Sequence, residues 1–365
     1  MTPLSVPGPH VPDRSCPMRV VLVGAGVMGW AWAHAAVRHE RFELAAIVDA
    51  DPRQARATAL RLRRPDLPVS ASLATLPDVG ADVCINATPP HAHAAVISQA
   101  IDAGLATLTE KPFTLSLDQA AALADQAARA GLVLMVSQSR SYQPGLAAFR
   151  AAIGKLGGVH TLHARFSRGY PGTGFRAALD QPLLTDMAVH AFDAARLLTG
   201  SEATAVFCDT VERAGTGFQG AAEAAALFEM ADGSRFHYTG TWCAPSLPTP
   251  WSGTWRAVGP AGTAEWDGAG RVHWRLAGTR DPEDAGSVDA EGIVEVADDR
   301  FDLDPVLQVS APLDELAEAL AGSGQHWGAA PNNLGTMAML DAAVTSARLR
   351  SRVMVQVPPS TASAL

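Results

Sequence analysis

The chain has 365 residues, 48% of them apolar and 18% charged, and its 37 acidic against 28 basic residues give a net charge of −9. This describes a soluble globular protein long enough for two domains, and it argues against a nucleic-acid partner, which would call for a basic patch. No apolar run approaches the roughly 20 residues of a membrane span, so no membrane partner is expected.

Residues 1–17 are rich in proline, lack an apolar core and twin arginines, and read as a disordered leader. An apolar run over 18–23 predicts a strand, followed at once by Gly24-Ala25-Gly26-Val27-Met28-Gly29. A helix over 30–38 and a second strand over 44–49, ending in Asp49, come next. This strand–GxGxxG–helix–strand–acid order is that of a dinucleotide site: the glycines give a tight turn and close backbone approach, and the pyrophosphate rests on the helix N-terminus. Asp49 has the offset of the acid that binds a ribose 2′-hydroxyl, which favours NAD over NADP; capping the next helix, ahead of Asp51-Pro52, is the other role open to it. Further strands are predicted over 82–88, 106–109 and 132–136, with helices over 91–103 and 117–130. Strands alternating with helices imply a parallel, doubly wound sheet, so 18–140 is expected to be an α/β Rossmann domain.

The pattern changes after Pro144. A helix over 145–153 and a strand over 159–166 precede a loop rich in glycine and arginine at 167–177, and 182–200 reads as one helix with a glycine stop. Strands then follow one another at 203–208, 222–229, 234–242, 255–258, 263–266 and 271–276, which predicts a large, mostly antiparallel sheet. Helices at 312–321 and 333–348 and a strand at 353–357 complete an α+β domain over 141–357, leaving a tail at 358–365.

Only two of the 28 basic residues are lysines, and one is Lys111 in Glu110-Lys111-Pro112, just past a predicted strand. Lysine, unlike arginine, can release its proton in a protein, and the carboxyl end of a strand is where ligands bind in such sheets. Asp186 and His190 are four apart on a predicted helix and share a face, so aspartate could fix the tautomer of an acid–base imidazole; a helix cap beside an interior histidine is the structural alternative. His160 and His163 fall on opposite faces of a strand, and His91 and His93 diverge at a helix start, so no metal site is expected. Cys16, Cys84, Cys208 and Cys243 lie far apart without a CxxC pair, which suits free thiols in a cytoplasmic protein.

In order and spacing, the glycine run, Thr88-Pro89-Pro90-x-x-His93, Glu110-Lys111-Pro112 and Asp186-x-x-x-His190 with Phe192-Asp193 and Gly200 resemble the Gfo/Idh/MocA family of NAD(P)-dependent oxidoreductases over about 18–357. The resemblance implies that Lys111, Asp186 and His190 surround the reacting carbon, while Thr88, Pro89, His93 and Glu110 join Gly24, Gly26, Val27, Met28, Gly29 and Asp49 around the cofactor. It also implies a homodimer or homotetramer through the C-terminal sheet, and a sugar, sugar derivative or cyclic polyol as substrate. Which of Lys111 and His190 is the base stays open. Where relatives carry a glycine-rich run and Asn-x-Arg, this chain has Asp180-Gln-Pro-Leu-Leu and Ser139-Arg140-Ser141-Tyr142, so substrate contacts are sought at Arg168, Tyr170, Arg176 and Trp251. An NAD-dependent glycosidase using transient oxidation and a non-catalytic nucleotide-binding regulator are the competing functions. The full proton-transfer set argues against the regulator.

Overall fold

Strands β1 (Met18–Val23), β2 (Phe42–Val48) and β4 (Val83–Asn86) are near-continuous apolar runs because both faces of their sheet are covered. The computed structural model describes residues 16–278, 288–296 and 300–359, so most of the expected leader at 1–17 and tail at 358–365 lies outside the described residues. The chain divides into two compact units, one of residues up to 137 with 309–332 and the chain end, the other of 138–308 with 333–358.

In the first unit, α1 (Val27–Arg38), α2 (Pro52–Arg61), β3 (Val69–Ser70), α3 (Pro90–Asp102), β5 (Ala106–Glu110), α4 (Leu117–Ala130) and β6 (Leu134–Ser137) complete the expected alternation. The six strands are parallel in the order β3-β2-β1-β4-β5-β6. The order reverses between β1 and β4, and the crevice at such a switch point is where ligands bind in open α/β sheets.

The second unit comprises α5 (Pro144–Lys155), β7 (Thr161–Ser167), α6 (Gly174–Ala177), α7 (Val189–Thr199), β8 (Ala203–Val211), β9 (Glu223–Met230), β10 (Arg235–Thr241), β11 (Thr254–Gly259), β12 (Gly262–Trp266), β13 (Arg271–Ala277) and β14 (Val288–Glu295). Helix α8 (Pro305–Leu320) follows, and α9 (Ala330–Leu349) leads to β15 (Val353–Met354). The nine-stranded sheet has the order β14-β13-β12-β11-β7-β10-β9-β8-β15 and is antiparallel except between β7 and β10. Strand burial alternates, and the covered face receives α7, whose Phe192 packs edge-on against Phe228, Phe236 and Tyr238 at 4.8–6.3 Å.

Elements β3, α6 and β14 and the span of α2 were not read from the sequence, and three further features differ from expectation. The helix read over 182–200 opens with a π-helical turn, Leu184–Ala188, before α7. Helix α8 begins seven residues before Pro312, which sits inside it; proline is favoured at a helix start and so misplaces the boundary in a reading of the sequence. Residues 309–332, read with the C-terminal domain, group with the first unit, where Val136 N–H donates to Gly328 O at 2.7 Å and Met135 bridges Ala329 beside edge strand β6.

The cysteines are free thiols: Cys84 and Cys208 are buried, Cys243 is half-buried and Cys16 is exposed. Burial pushes the Cys84 thiol up to about 12, and burial with the Asp209 charge does the same for Cys208. In native protein at pH 8 a thiol reagent should therefore modify Cys16 rapidly, and Cys84 and Cys208 only after unfolding; peptide mapping of the labelled chain checks this.

Candidate functional site

Each unit carries part of the predicted machinery. In the first, Gly24 adopts φ +96°, and a Cβ there would lie 2.6 Å from the carbonyl group of Ala87. A Cβ on Gly29 would fall 1.9 Å from Gly24 O, so helix and strand meet only because both positions lack side chains. At Gly26, the residue before α1, a Cβ would meet nothing within 4 Å. Open space therefore faces a helix start with no side-chain cap and no acid in its first turn, which suits a bound anion. Val27 is exposed, Met28 half-buried and Gly29 buried in that turn.

Asp49 follows β2. Its Oδ2 accepts from Ala25 N–H at 2.8 Å and its Oδ1 from Asp51 N–H at 2.9 Å, while Asp51 is the residue that caps α2. Asp49 thus tethers the glycine turn and presents a carboxylate at the strand end. Asn86 ends β4, fully buried, and its Oδ1 accepts from Thr88 Oγ1 at 2.7 Å and from Thr88 N–H at 3.2 Å, which sets the turn before Pro89. His93 is fully buried, with Nδ1 2.8 Å from Pro112 O and Nε2 2.8 Å from Thr88 O. Burial holds its pKa below the ordinary value, and the neutral ring donates to one of these two carbonyls, its tautomer setting which. The imidazole sits as an internal link between the Thr88 and Lys111–Pro112 loops, where the resemblance had it lining the cofactor. Glu110 Oε1 accepts from Trp32 Nε1 at 2.9 Å, joining α1 to the end of β5, where half-buried Lys111 begins the loop.

In the second unit the π-helical turn carries Asp186 and the first turn of α7 carries His190, which are 5% and 8% exposed. Arg176 Nε donates to Asp186 Oδ2 at 2.6 Å and Nη2 to Oδ1 at 3.4 Å, a forked ion pair. Arg176 also lies 5.7 Å from the Tyr170 ring, Tyr170 packs on Trp242 at 5.0 Å, Trp242 on Trp251 at 5.8 Å, and Arg168 stacks over Trp251 at 4.4 Å. The four residues sought as substrate contacts are therefore joined in one continuous cation–aromatic chain that ends on Asp186.

His190, Arg140, Tyr238 and Trp251 line a cavity of about 30 Å³, room for a water or two. Arg140 comes from the 3₁₀ turn Ser139–Tyr142 and donates to Trp251 O. Burial pushes the Arg140 guanidinium down from its ordinary value, and the charges of Asp302 and Asp186 oppose this. Burial raises the Tyr238 hydroxyl, which keeps it protonated, and Arg140 offsets part of that shift. Fully buried Asp193 accepts from Ser141 Oγ at 2.5 Å and from Thr336 Oγ1 at 2.7 Å, tying the Arg140 turn to the His190 helix. The sequence signals neither Asp302 nor Tyr238 as neighbours of Arg140, because they join it only through the tertiary fold.

A dinucleotide cradle on a 3-2-1-4-5-6 sheet, with a separate sheet domain holding an Asp–His helix, defines a class of nucleotide-dependent oxidoreductases. Residues 18–138 match the oxidoreductase family with an NAD-binding Rossmann fold, and 149–265 match the GFO/IDH/MocA C-terminal domain. The chain belongs to the Gfo/Idh/MocA family, and its first unit is an NAD-binding Rossmann domain. It is 27% identical over 266 residues to an uncharacterized protein of Sinorhizobium fredii, covering 68% of this chain and 72% of that one. It is 34% identical over 194 residues to a myo-inositol dehydrogenase of Streptomyces leeuwenhoekii, covering 53% and 59%. GenD2 from gentamicin A biosynthesis, solved in complex with NAD, superposes with a TM-score of 0.77 at 25% identity over 97% of this chain and 100% of that chain.

The glycines make separable predictions. Gly24→Ala should destabilise the fold through its contact with Ala87. Gly26→Ala should leave the melting temperature unchanged and weaken NADH binding by at least about tenfold, the cost of roughly 1.4 kcal/mol. Thermal melts and NADH fluorescence titrations of both variants check this.

Proposed function

We propose that the protein is an NAD-dependent dehydrogenase acting between a secondary hydroxyl and the corresponding carbonyl of a cyclic polyol, sugar or sugar derivative. Bound NAD supplies hydride acceptance and, in the reverse direction, NADH supplies hydride donation. Gly24, Gly26, Gly29 and Asp49 hold the dinucleotide, with Val27, Met28, Thr88, Pro89 and Glu110 around it and His93 setting the loops beneath. His190 and Lys111 divide the proton work at the substrate oxygen: one takes the proton, the other hydrogen-bonds the oxygen and stabilises its negative charge. Asp186, anchored by Arg176, orients His190. Arg168, Tyr170 and Trp251 offer a stacking and hydrogen-bonding wall for a ring bearing hydroxyls.

The observation that carries this reading is buried His190 one helical turn from Asp186, the carboxylate on which the arginine–aromatic chain ends. Four free cysteines suit a reducing cytoplasm. The outward face of the nine-stranded sheet suits assembly into a dimer or tetramer.

Absorbance at 340 nm with NAD and, separately, NADP across inositols, aldoses and sugar acids tests the reading. Lys111→Ala and His190→Ala should each lower turnover by about 10²–10⁴-fold while leaving NADH affinity nearly unchanged. Near-wild-type turnover in both variants would overturn the assignment. Arg176→Leu leaves the Asp186 carboxylate without its forked partner and should lower turnover by at least about tenfold, measured in the same assay.

A further inference from the structure

The outward face of the nine-stranded sheet holds a pair of side chains with no part in the chemistry above. His237 on β10 and His163 on β7 are direct cross-strand partners, and their rings stack with centroids 4.6 Å apart and planes 22° from parallel. They sit in an open groove of about 620 Å³ that also reaches Arg256, Glu265 and His273. Exposed apolar side chains flank the same row, Phe207 and Leu227 on one side and Ile293 on the other.

The face fits a second copy of this chain. Nine strands at about 4.8 Å spacing and about six residues each at 3.3 Å give a face of roughly 38 by 20 Å, close to the ~800 Å² per partner of a stable interface. Much of its charge is already closed within the chain, Arg256 on Glu265 at 2.5 Å, Arg275 on Glu291 at 3.1 Å and Arg213 on Glu223 at 2.9 Å. A partner therefore meets ion pairs between apolar ends, with Arg165 and Arg235 beside the histidine stack.

We propose that this face pairs with a second copy through a contact that opens on acidification, with the His163–His237 stack as its proton-sensitive element. The inference rests on the assembly reading given above. Around the stack the neighbours are basic or neutral: Arg256 on β11 and Arg165 along β7 beside His163, Leu227 on β9 with Arg235 and Thr239 along β10 beside His237. Among the described residues no carboxylate is in register with either ring. Glu265 is taken by Arg256, Glu229, diagonal to His237, is held by Arg352 at 2.6 Å, and His273 pairs with Glu291 at 2.5 Å. A proton on either ring thus adds charge beside arginine, while the carboxylates in the same groove, Glu265 and Asp267, are engaged by Arg256 and by the backbone N–H groups of Ala269 and Arg271.

Burial already holds both rings below their ordinary value, with Arg256 adding to the effect on His163 and His163 to that on His237. Covering the face removes more water and lowers both further. The separated chain then takes up protons first as the pH falls. Association is unaffected well above about pH 6.5 and weakens below it.

Sedimentation velocity of the full chain from about pH 8 to about pH 5.5 tests this, with far-UV circular dichroism reporting the fold. The dissociation constant of the wild type should rise at least about tenfold, the effect of one proton taken up by the separated chains over one pH unit. His163→Gln/His237→Gln should associate at pH 8 and change less than about threefold over the range. A wild-type assembly that persists at pH 5.5, or a double variant as pH-sensitive as the wild type, overturns the switch alone. A chain that is monomeric throughout overturns the switch and the assembly reading together.

Discussion

The close approach of α1 to β1 is the constraint from which the nucleotide-binding half of the molecule follows. The Gly24 carbonyl occupies the space that a side chain at position 29 would need, and Gly24 itself leaves none between its backbone and Ala87. Only that contact brings the helix start down onto the carboxyl ends of β1 and β4, where the strand order turns. The polar fastenings around it then have short distances to span. Asp49 reaches back to the glycine turn, Asn86 fixes Thr88, His93 joins the Thr88 loop to Pro112, and Trp32 joins α1 to Glu110. Each satisfies a backbone or buried polar group that would otherwise cost about 1–3 kcal/mol.

The second unit solves a different problem, holding charge inside an apolar layer. The aromatic cluster of Phe192, Phe228, Phe236 and Tyr238 seats α7 on the sheet, and the polar groups gather along the rim of that cluster. Buried Asp193 is balanced by hydroxyls of Ser141 and Thr336 and by Arg196 at 4.0 Å, which in turn forks onto Glu202. Asp186 is balanced by Arg176. Such pairs add little net stability, but removing one partner is costly, so they fix the directions of the helix and the Arg140 turn.

The Rossmann elements were legible because glycine, strand and acid must fall in one local order for the turn to close. The antiparallel character of the second sheet was legible from consecutive strands, while the partnership of β7 with β10 depends on long-range pairing. The π-helical turn at Leu184–Ala188 has the composition of an ordinary helix. His93 shows how a motif can be found and its work misjudged: residue type and spacing say that the imidazole matters, and only its burial between two carbonyls shows that it binds loop to loop. Arg176 was sought as a ligand contact; its carboxylate partner ten residues away shows only when both helical turns are placed.

The edge of the Rossmann sheet has a consequence for how the chain is made. Strand β6 is complete once residue 137 has been synthesised, but the segment that covers its outer edge, around Gly328 and Ala329, is almost 200 residues further on. The nascent domain therefore leaves the ribosome with the outer edge of β6 open while the second sheet, all but its last strand β15, is translated. At a synthesis rate of about 5–20 residues per second that interval lasts roughly 10–40 seconds, long enough for the exposed edge to meet a chaperone. The two units are a single translational product in a strict sense, because no cut or fusion at one point can separate them with both complete.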